Sequence, residues 1–207
     1  MKPDLVVHVG DYNYREKCDN KELCDKLGIT SEDVGSGYNI WEKDFLEPFD
    51  SLLQSATFVF VRGNHENCDR SWEGYMSMLS PYPFARCKNS DSGSRMFKNI
   101  PQDAYRVEIG GFKAVIADSA GQNDDSVKHS DKEYFTKMFK DLKDDMQDSL
   151  FITHKPLYNL NFDSSNAQEE AYDSLNVESK AIISGHIHNF QYMENRNIKQ
   201  VIVGNSG

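Results

Sequence analysis

The sequence predicts an α/β fold, and two observations support that prediction. Short apolar runs typical of β-strands alternate along the chain with longer stretches of helical periodicity. Polar residues follow directly after four of these runs, in the segments GDYNY (10–14), GNHE (63–66), TH (153–154) and GHIH (185–188). Because ligands bind at the carboxyl ends of strands in open α/β sheets, we expect these four segments to meet at one edge.

The predicted strands are rich in Val, Ile and Phe, and most are expected to be buried on both faces. They cover 4–9, 57–62, 105–109, 112–117, 150–153, 181–184 and 198–203. The pair Gly110-Gly111 between two of them is a hairpin signal, so part of the sheet is expected to be antiparallel.

Helical spacing of apolar residues predicts three helices, at 41–54, 131–147 and 167–175. Pro48 is expected to kink the first. Ser130 with Glu133 is typical of a capping box at the start of the second.

Composition limits the classes of function. A chain of 207 residues with 38% hydrophobic residues is long enough for one globular domain with a large core. The net charge of −10 argues against a nucleic-acid partner, because such proteins track phosphates with basic surfaces. No apolar run approaches the ~20 residues of a membrane span. We therefore expect neither a nucleic-acid nor a membrane partner.

The side chains at the four strand ends are typical of a metal site. Asp11, Asn64, His154 and His186 offer oxygen and imidazole ligands without a thiolate, which suits zinc, manganese or iron. His188 lies two residues after His186, so both project to the same side of an extended segment and can reach neighbouring metals.

The order of the motifs GDxxY, GNHE, a single His and GHxH resembles the calcineurin-like metallophosphoesterase superfamily. Tyr14, in place of the second Asp of the commoner GDxxD form, makes the purple acid phosphatase branch the nearer relative. The strings HVGDYNYRE and FVRGNHENC resemble exported bacterial enzymes of that branch. The resemblance implies a four-layer sandwich of two mixed β-sheets flanked by helices.

The resemblance also implies the hydrolysis of phosphate esters, monoesters first, by a metal-bound hydroxide at a dinuclear centre of iron, zinc or manganese. A phosphodiesterase or nuclease with the same site is the alternative enzyme. The alternative from a class other than enzymes is a metal-binding domain of low activity. The natural substrate, metal identity and oligomeric state are not predicted.

Roles follow from the resemblance position by position. Asp11 corresponds to the carboxylate that bridges the metals, and it is expected to be catalytic together with His65. Asn64, His154 and His186 complete one metal's ligands, while Tyr14 and His188 belong to the other; a phenolate favours Fe³⁺ there. His65 corresponds to the histidine that contacts the phosphate and protonates the leaving oxygen, and Asn64 also lies against the substrate.

One family motif has no counterpart here. The D-x-H or D-x-G strand expected upstream of GDxxY is absent, because nine residues precede Gly10. Residues 1–207 are therefore expected to form a single metallophosphoesterase domain that is truncated at the N-terminus and possibly at the C-terminus. The chain is then expected to hold one metal tightly and the second weakly, unless Asp118 at the end of another strand supplies the lost carboxylate.

Other residues near the motifs have less specific interpretations. His8 lies on an apolar strand and is expected to be a core histidine, and His129 is expected to be solvated. Arg15, Arg62 and Glu66 flank the motifs. They either contact the substrate or the residues that hold the metal, or they lie at the surface or in structural ion pairs.

The four cysteines bear on the cellular compartment. Their spacing contains no CxxC motif of a zinc or redox site. We expect disulfides between Cys18 and Cys24 and between Cys68 and Cys87, in a periplasmic or secreted protein. Reduced thiols in a cytoplasmic protein are the alternative.

Overall fold

The computed structural model describes residues 2–15, 17–18, 20–84, 102–158, 164–195 and 198–204. The strands are β1 (Leu5–His8), β2 (Thr57–Phe60), β3 (Tyr105–Ile109), β4 (Phe112–Ala117), β5 (Leu150–Thr153), β6 (Ala181–Ser184), β7 (Phe190–Asn195) and β8 (Ile198–Val203). The helices are α1 (Lys21–Leu27), α2 (Tyr38–Trp41), α3 (Glu47–Leu53), α4 (Trp72–Met78), α5 (His129–Met146) and α6 (Ala167–Ser174), with a π-helical turn at Glu42–Leu46 and a 3₁₀ turn at Asn64–Glu66.

The strands form two sheets. In the small sheet β1 pairs with β2 in parallel, from Leu5 opposite Thr57 to His8 opposite Phe60. In the large sheet the order is β3-β4-β5-β6-β8-β7. Its four inner strands are parallel, and the edge strands β3 and β7 are antiparallel to their neighbours. The predicted strands and the mixed sheet are therefore confirmed, and β7 is an additional strand.

The two sheets pack face to face between two helical layers. Val59 of β2 and Val61, which follows that strand, pack against Ala114, Ile116 and Ile152 of the large sheet. On the outer face of the large sheet lie α5 and α6, in a cluster that includes Phe135, Phe139, Phe151, Ala171 and Tyr172. An aromatic cluster on the outer side of the small sheet joins Tyr12 to Trp41, Phe45, Trp72 and Tyr75. The expected four-layer α/β sandwich is confirmed.

One detail of the predicted helices is wrong, and the irregularity expected of Pro48 is present just before it. Helix α5 begins at His129 with Lys128 at the cap position, so Ser130 lies inside the first turn and donates to Asp131 instead of capping with Glu133. The helical run around Pro48 carries its irregularity one turn earlier, where the N–H of Glu47 donates to the carbonyl of Glu42 across a π turn. Leu46 and Glu47 have helical φ and ψ values, so Pro48 lies within a continuous helical run, and the π turn on its N-terminal side is the irregularity expected of a proline there.

The disulfide between Cys18 and Cys24 is present, as predicted. Cys87 lies outside the described residues, so its bond to Cys68 stays a prediction. Among the described residues, no helix has the length and apolarity that a membrane crossing requires.

Candidate metal centre

The four polar segments that follow β1, β2, β5 and β6 converge at one edge of the sandwich. Two glycines let them approach. A Cβ on Gly10, which has a φ of 101°, would lie 2.5 Å from Nδ1 of His154. A Cβ on Gly63 would lie 2.2 Å from the backbone nitrogen of Asp11. The strand ends can therefore meet only because neither position carries a side chain.

Glu66 holds the turn that presents Asp11. Its buried carboxylate accepts hydrogen bonds from the backbone N–H groups of Asp11 at 3.0 Å, Tyr12 at 2.8 Å and Gly63 at 3.0 Å. Burial, and then the nearby charge of Asp11, raise the pKa of Glu66 to about 7. Glu66 is thus a structural residue that ties the first motif to the second, which resolves one open alternative of the sequence analysis.

Asp11 presents both carboxylate oxygens to the centre. Its Oδ1 accepts the backbone N–H of His65 at 3.0 Å, and its Oδ2 lies 3.3 Å from Nε2 of His154 and accepts the Tyr14 hydroxyl at 3.3 Å. Burial alone would raise the pKa of Asp11, but the charge and hydrogen bond of His154 and the His65 N–H hold it well below its usual range. The carboxylate is therefore ionised and suited to a cation.

His154 has a defined tautomer. Its Nδ1 lies 2.7 Å from the carbonyl oxygen of Val9, and because a carbonyl only accepts, Nδ1 carries a proton. Its Nε2 points the other way, 2.9 Å from Oδ1 of Asn64 and 3.3 Å from Oδ2 of Asp11. Burial would lower the pKa of His154, but the charge of Asp11 outweighs it, so the pKa is raised. A proton or a metal ion on Nε2 satisfies the two oxygens that face it.

These side chains fit a metal ion. One potential ligand atom from each of Asp11, His154 and His186 lies within 4.8 Å of the other two. The amide oxygen of Asn64 adds a neutral fourth donor through its contact with His154. A carboxylate, an amide and two imidazoles suit Zn²⁺, Mn²⁺ or iron.

His186 brings in a carboxylate that the sequence analysis did not single out. Its ring lies 5.0 Å from that of His154, and its Nε2 lies 3.1 Å from Oδ1 of Asp124. Burial lowers the pKa of His186. Asp124 sits in the loop between β4 and α5, where no motif marks it.

Tyr14 and His188 form a second, more open group. The Tyr14 hydroxyl lies 3.1 Å from Nε2 of His188, beside Asp11. Both side chains line a cavity of about 400 Å³ that Asp44 and Arg15 also border. Asp44 is paired with Arg15 and accepts the Tyr14 N–H at 3.1 Å. Among the residues that the structure describes, the Asp, Glu and His cluster of metal-binding geometry contains no further carboxylate.

His65 lies against Tyr14, with ring centroids 4.2 Å apart. Its Nδ1 is 3.2 Å from the carbonyl oxygen of Asn13, which again requires the proton on Nδ1. Nε2 is then the nitrogen that can take up or deliver a proton. The structure thus keeps His65 beside the centre without placing it in the Asp11, His154 and His186 cluster.

One suggestion from the sequence is wrong, and one alternative that it left open is resolved. Asp118 does not stand in for the upstream carboxylate, because its Oδ2 lies 2.7 Å from Nη2 and 2.9 Å from Nε of Arg62 and also accepts the N–H of Gln102. Arg62 is 2% exposed, so it serves this buried ion pair and not the substrate. His8 stacks on Tyr12 at 4.2 Å as a core histidine, as predicted, and burial lowers its pKa to about 4. His129 is exposed, as predicted.

The fold and the centre define an α/β protein with a candidate metal site at its strand ends. The family model of the calcineurin-like phosphoesterases matches residues 1–190. The chain belongs to that family, and the superfamily predicted from the four motifs is confirmed.

The chain is similar to several solved structures, of which the first supports the fold. A putative 5'-nucleotidase from Staphylococcus aureus, crystallised in complex with α-ketoglutarate, has 14% identity and a TM-score of 0.51, covering 97% of this chain and 39% of its own. GAP50, the anchor in the inner membrane complex of Plasmodium, has 15% identity and a TM-score of 0.44, covering 98% of this chain and 61% of its own. The chain therefore spans well under two thirds of the length of the first and less than two thirds of the second. No curated protein matches it.

Proposed function

We propose that this chain carries the catalytic site of a metal-dependent phosphomonoesterase of the purple acid phosphatase type. The observation that supports the proposal most is the convergence of Asp11, His154 and His186, whose ligand atoms lie within 4.8 Å of one another beside Asn64. Family membership supports the reaction class, which is metal-dependent cleavage of phosphate esters.

Each residue has a role in this proposal. Asp11, Asn64, His154 and His186 hold one metal, and Asp11 with Tyr14 and His188 holds a second. When bound, such metals supply the positive charge that polarises the phosphoryl oxygens and activates water. Asn64 contributes an uncharged oxygen, which keeps the centre net positive toward an anionic substrate.

His65 acts on the leaving group. Its Nδ1 proton is held by the carbonyl of Asn13, and a second proton on Nε2 is the one available for the leaving oxygen. Arg15 is half exposed on the wall of the 400 Å³ cavity, where its positive charge can meet the phosphate or the rest of a small ester. The net charge of −10 disfavours long nucleic acids as substrates, so monoesters are placed ahead of diesters.

We further propose that the protein is exported. The Cys18–Cys24 disulfide supports an oxidising compartment, since such bonds are rare in cytosolic proteins.

The proposed function also includes two metals of unequal affinity. The second group, Tyr14 and His188, is exposed, with Tyr14 38% exposed, and it lies outside the cluster of Asp11, His154 and His186.

The test combines metal content with activity. Protein stripped of metal is reloaded with Zn²⁺, Mn²⁺ or Fe, metal per chain is counted by elemental analysis, and hydrolysis of p-nitrophenyl phosphate is compared with that of bis(p-nitrophenyl) phosphate. We expect one tightly held metal, a weaker second, and faster monoester cleavage. Faster cleavage of the diester would favour a phosphodiesterase.

Variants separate the site from the scaffold. Asp11→Asn and His186→Ala should lose the tight metal and the activity together, because each removes one ligand. Asp69→Asn and His129→Ala make the same chemical changes at exposed positions and should keep both. If the wild type binds metal tightly but hydrolyses neither ester, the chain is a metal-binding domain and not an enzyme. If Asp11→Asn or His186→Ala keeps its full metal content, the ligand assignment is wrong.

A further inference from the structure

A partly buried ion cluster lies directly beside the candidate metal centre. Oδ1 of Asp124 is 3.1 Å from Nε2 of His186 and 3.1 Å from Nζ of Lys155. Neither Asp124 nor Lys155 belongs to the four motifs. Lys155 is 7% exposed, which is rare for lysine unless it is paired. The cluster thus joins the fourth motif to the loop after β4 and to the residue that follows His154.

The carboxylate fixes which nitrogen of His186 carries the proton. A carboxylate oxygen and an unprotonated ring nitrogen at 3.1 Å would repel each other, so the proton of the neutral imidazole belongs on Nε2. The lone pair is then on Nδ1. A histidine that binds metal through one nitrogen commonly donates the other N–H to a carboxylate, which sets the tautomer and the ring orientation.

Lys155 holds the carboxylate in place. Its ammonium group pairs with Asp124 and also donates to the carbonyl of Gln122 at 2.8 Å, two residues before Asp124. Its own backbone is fixed by the Lys155 N–H, which donates to the Ser119 hydroxyl at 2.8 Å. Lys155 therefore compensates the negative charge of Asp124, and the position of Lys155 is itself fixed. Asp124 can thus keep its contact with His186 instead of turning toward the metal centre.

His186 also needs such an anchor for backbone reasons. Its φ of 65° lies in the left-handed region, which a residue with a side chain adopts only at an energetic cost. That conformation persists only where the surroundings fix it. The Gly185 N–H donates to the carbonyl of His154 at 2.9 Å, and Asp124 is the charged group that meets the His186 ring itself.

We propose that Asp124 is a positioning residue, held by Lys155, which keeps the proton on Nε2 of His186 and so presents Nδ1 to the metal. The inference rests on the proposed function in one respect, namely that His186 is a ligand. Asp124 does not itself bind the metal or the substrate. Its loss should weaken metal binding through His186 and leave the other ligands in place.

The first measurement needs no variant. Long-range ¹H–¹⁵N correlation spectra of the wild-type, metal-free protein report the tautomer of each histidine, and His186→Ala assigns the signal. We expect the Nε2–H form for His186. The Nδ1–H form would overturn the proposal, whether or not any Asp124 variant folds.

The second measurement is metal affinity. Zn²⁺ binding to the stripped protein is measured by calorimetry for Asp124→Asn and for Asp125→Asn, which makes the same change one residue along on an exposed side chain. We expect a Kd about 10- to 100-fold weaker for Asp124→Asn, the range for lost carboxylate partners of metal-binding histidines, and no change for Asp125→Asn. Asp124→Glu should recover part of the loss.

Two outcomes separate this inference from the proposed function. If His186→Ala binds Zn²⁺ as tightly as the wild type, His186 is not a ligand and the proposed function fails with the inference. If His186→Ala loses Zn²⁺ while Asp124→Asn keeps wild-type affinity and the Nε2–H tautomer, the inference alone is overturned. Thermal unfolding of the metal-free variants shows whether a weaker Kd reflects a loss of folded protein.

Discussion

Gly10→Ala tests the packing that brings the strand ends together. A Cβ at this position would stand 2.5 Å from Nδ1 of His154 and 2.7 Å from Cα of Gly63. Carbon atoms in contact prefer separations of about 3.5–4.0 Å, so His154 must shift by roughly 1 Å. That shift breaks the bond of Nδ1 to the carbonyl of Val9 and moves Nε2 away from Asp11 and Asn64. Metal binding and stability should therefore fall together.

Gly111→Ala is the matched control. Gly111 has a φ of 87° against 101° for Gly10, but a Cβ added to Gly111 would meet nothing within 4 Å. Both substitutions carry the left-handed strain of roughly 1–2 kcal/mol. Only Gly10→Ala adds overpacking, about 1–3 kcal/mol, and a lost hydrogen bond, about 1 kcal/mol. The expected difference in unfolding free energy between the two variants is thus about 3 kcal/mol.

Urea unfolding of the metal-free variants measures that difference, and Zn²⁺ calorimetry measures the effect on the centre. Gly111→Ala should bind Zn²⁺ like the wild type, while Gly10→Ala should bind at least ~10-fold more weakly, as expected for a misoriented ligand. If Gly10→Ala costs no more than Gly111→Ala and keeps its Zn²⁺ affinity, the close approach of Gly10 to His154 does not position the centre.

Three further predictions concern His65, His8 and the cysteines. His65→Ala should keep its metal but lose about 10²- to 10⁴-fold in kcat, with a smaller loss on p-nitrophenyl than on alkyl phosphates; equal losses would mean that His65 only positions the phosphate. Burial lowers the pKa of His8 to about 4 in the folded protein, below its ordinary value of 6.5. Neutral His8 therefore makes its full contribution to the free energy of unfolding above pH 6.5, and this contribution is lost as the pH falls toward 4. Wild type should therefore lose about 2 kcal/mol more than His8→Phe between pH 7 and 5, measured by urea unfolding; parallel pH profiles would contradict this. Thiol titration of the denatured, unreduced protein should find no free cysteine, and two free thiols would disprove the Cys68–Cys87 bond.

The sequence predicted the parts of the fold that burial dictates. Strands such as β4 contain four consecutive buried residues, which must all be apolar, so their sequences are distinctive. Strand β7 was missed because it is an edge strand of the sequence FQYMEN. Its Phe190 and Tyr192 are exposed, at 62% and 54%, so no burial pattern marks it. The start of α5 was misplaced because Ser130 and Glu133 have the spacing of a capping box. In the structure Lys128 takes the N-cap position instead.

The candidate site divides in the same way. Asp11, Asn64, His154 and His186 follow strands that end at one edge, so their meeting could be predicted from position along each strand. Asp124 and the role of Glu66 could not be predicted. Each acts through a contact with a residue more than 50 positions away, Asp124 with His186 and Glu66 with the N–H of Asp11. A contact between residues so far apart leaves no pattern in the local spacing of the sequence.

The backbone conformations of Asp11 and His186 connect the fold to the proposed function. Among the described residues other than glycine, positive φ occurs at Asp11 (61°), His186 (65°) and Asn176 (47°), so two of these strained positions carry candidate ligands. Each of the two directly follows a glycine at a strand end, and each costs roughly 1–3 kcal/mol. Glu66 offsets the first through its bonds to the turn, and Asp124 contacts the ring of the second. A metal that binds only this arrangement would add its binding free energy to folding, and so would offset the strain that these two residues place on the metal-free chain.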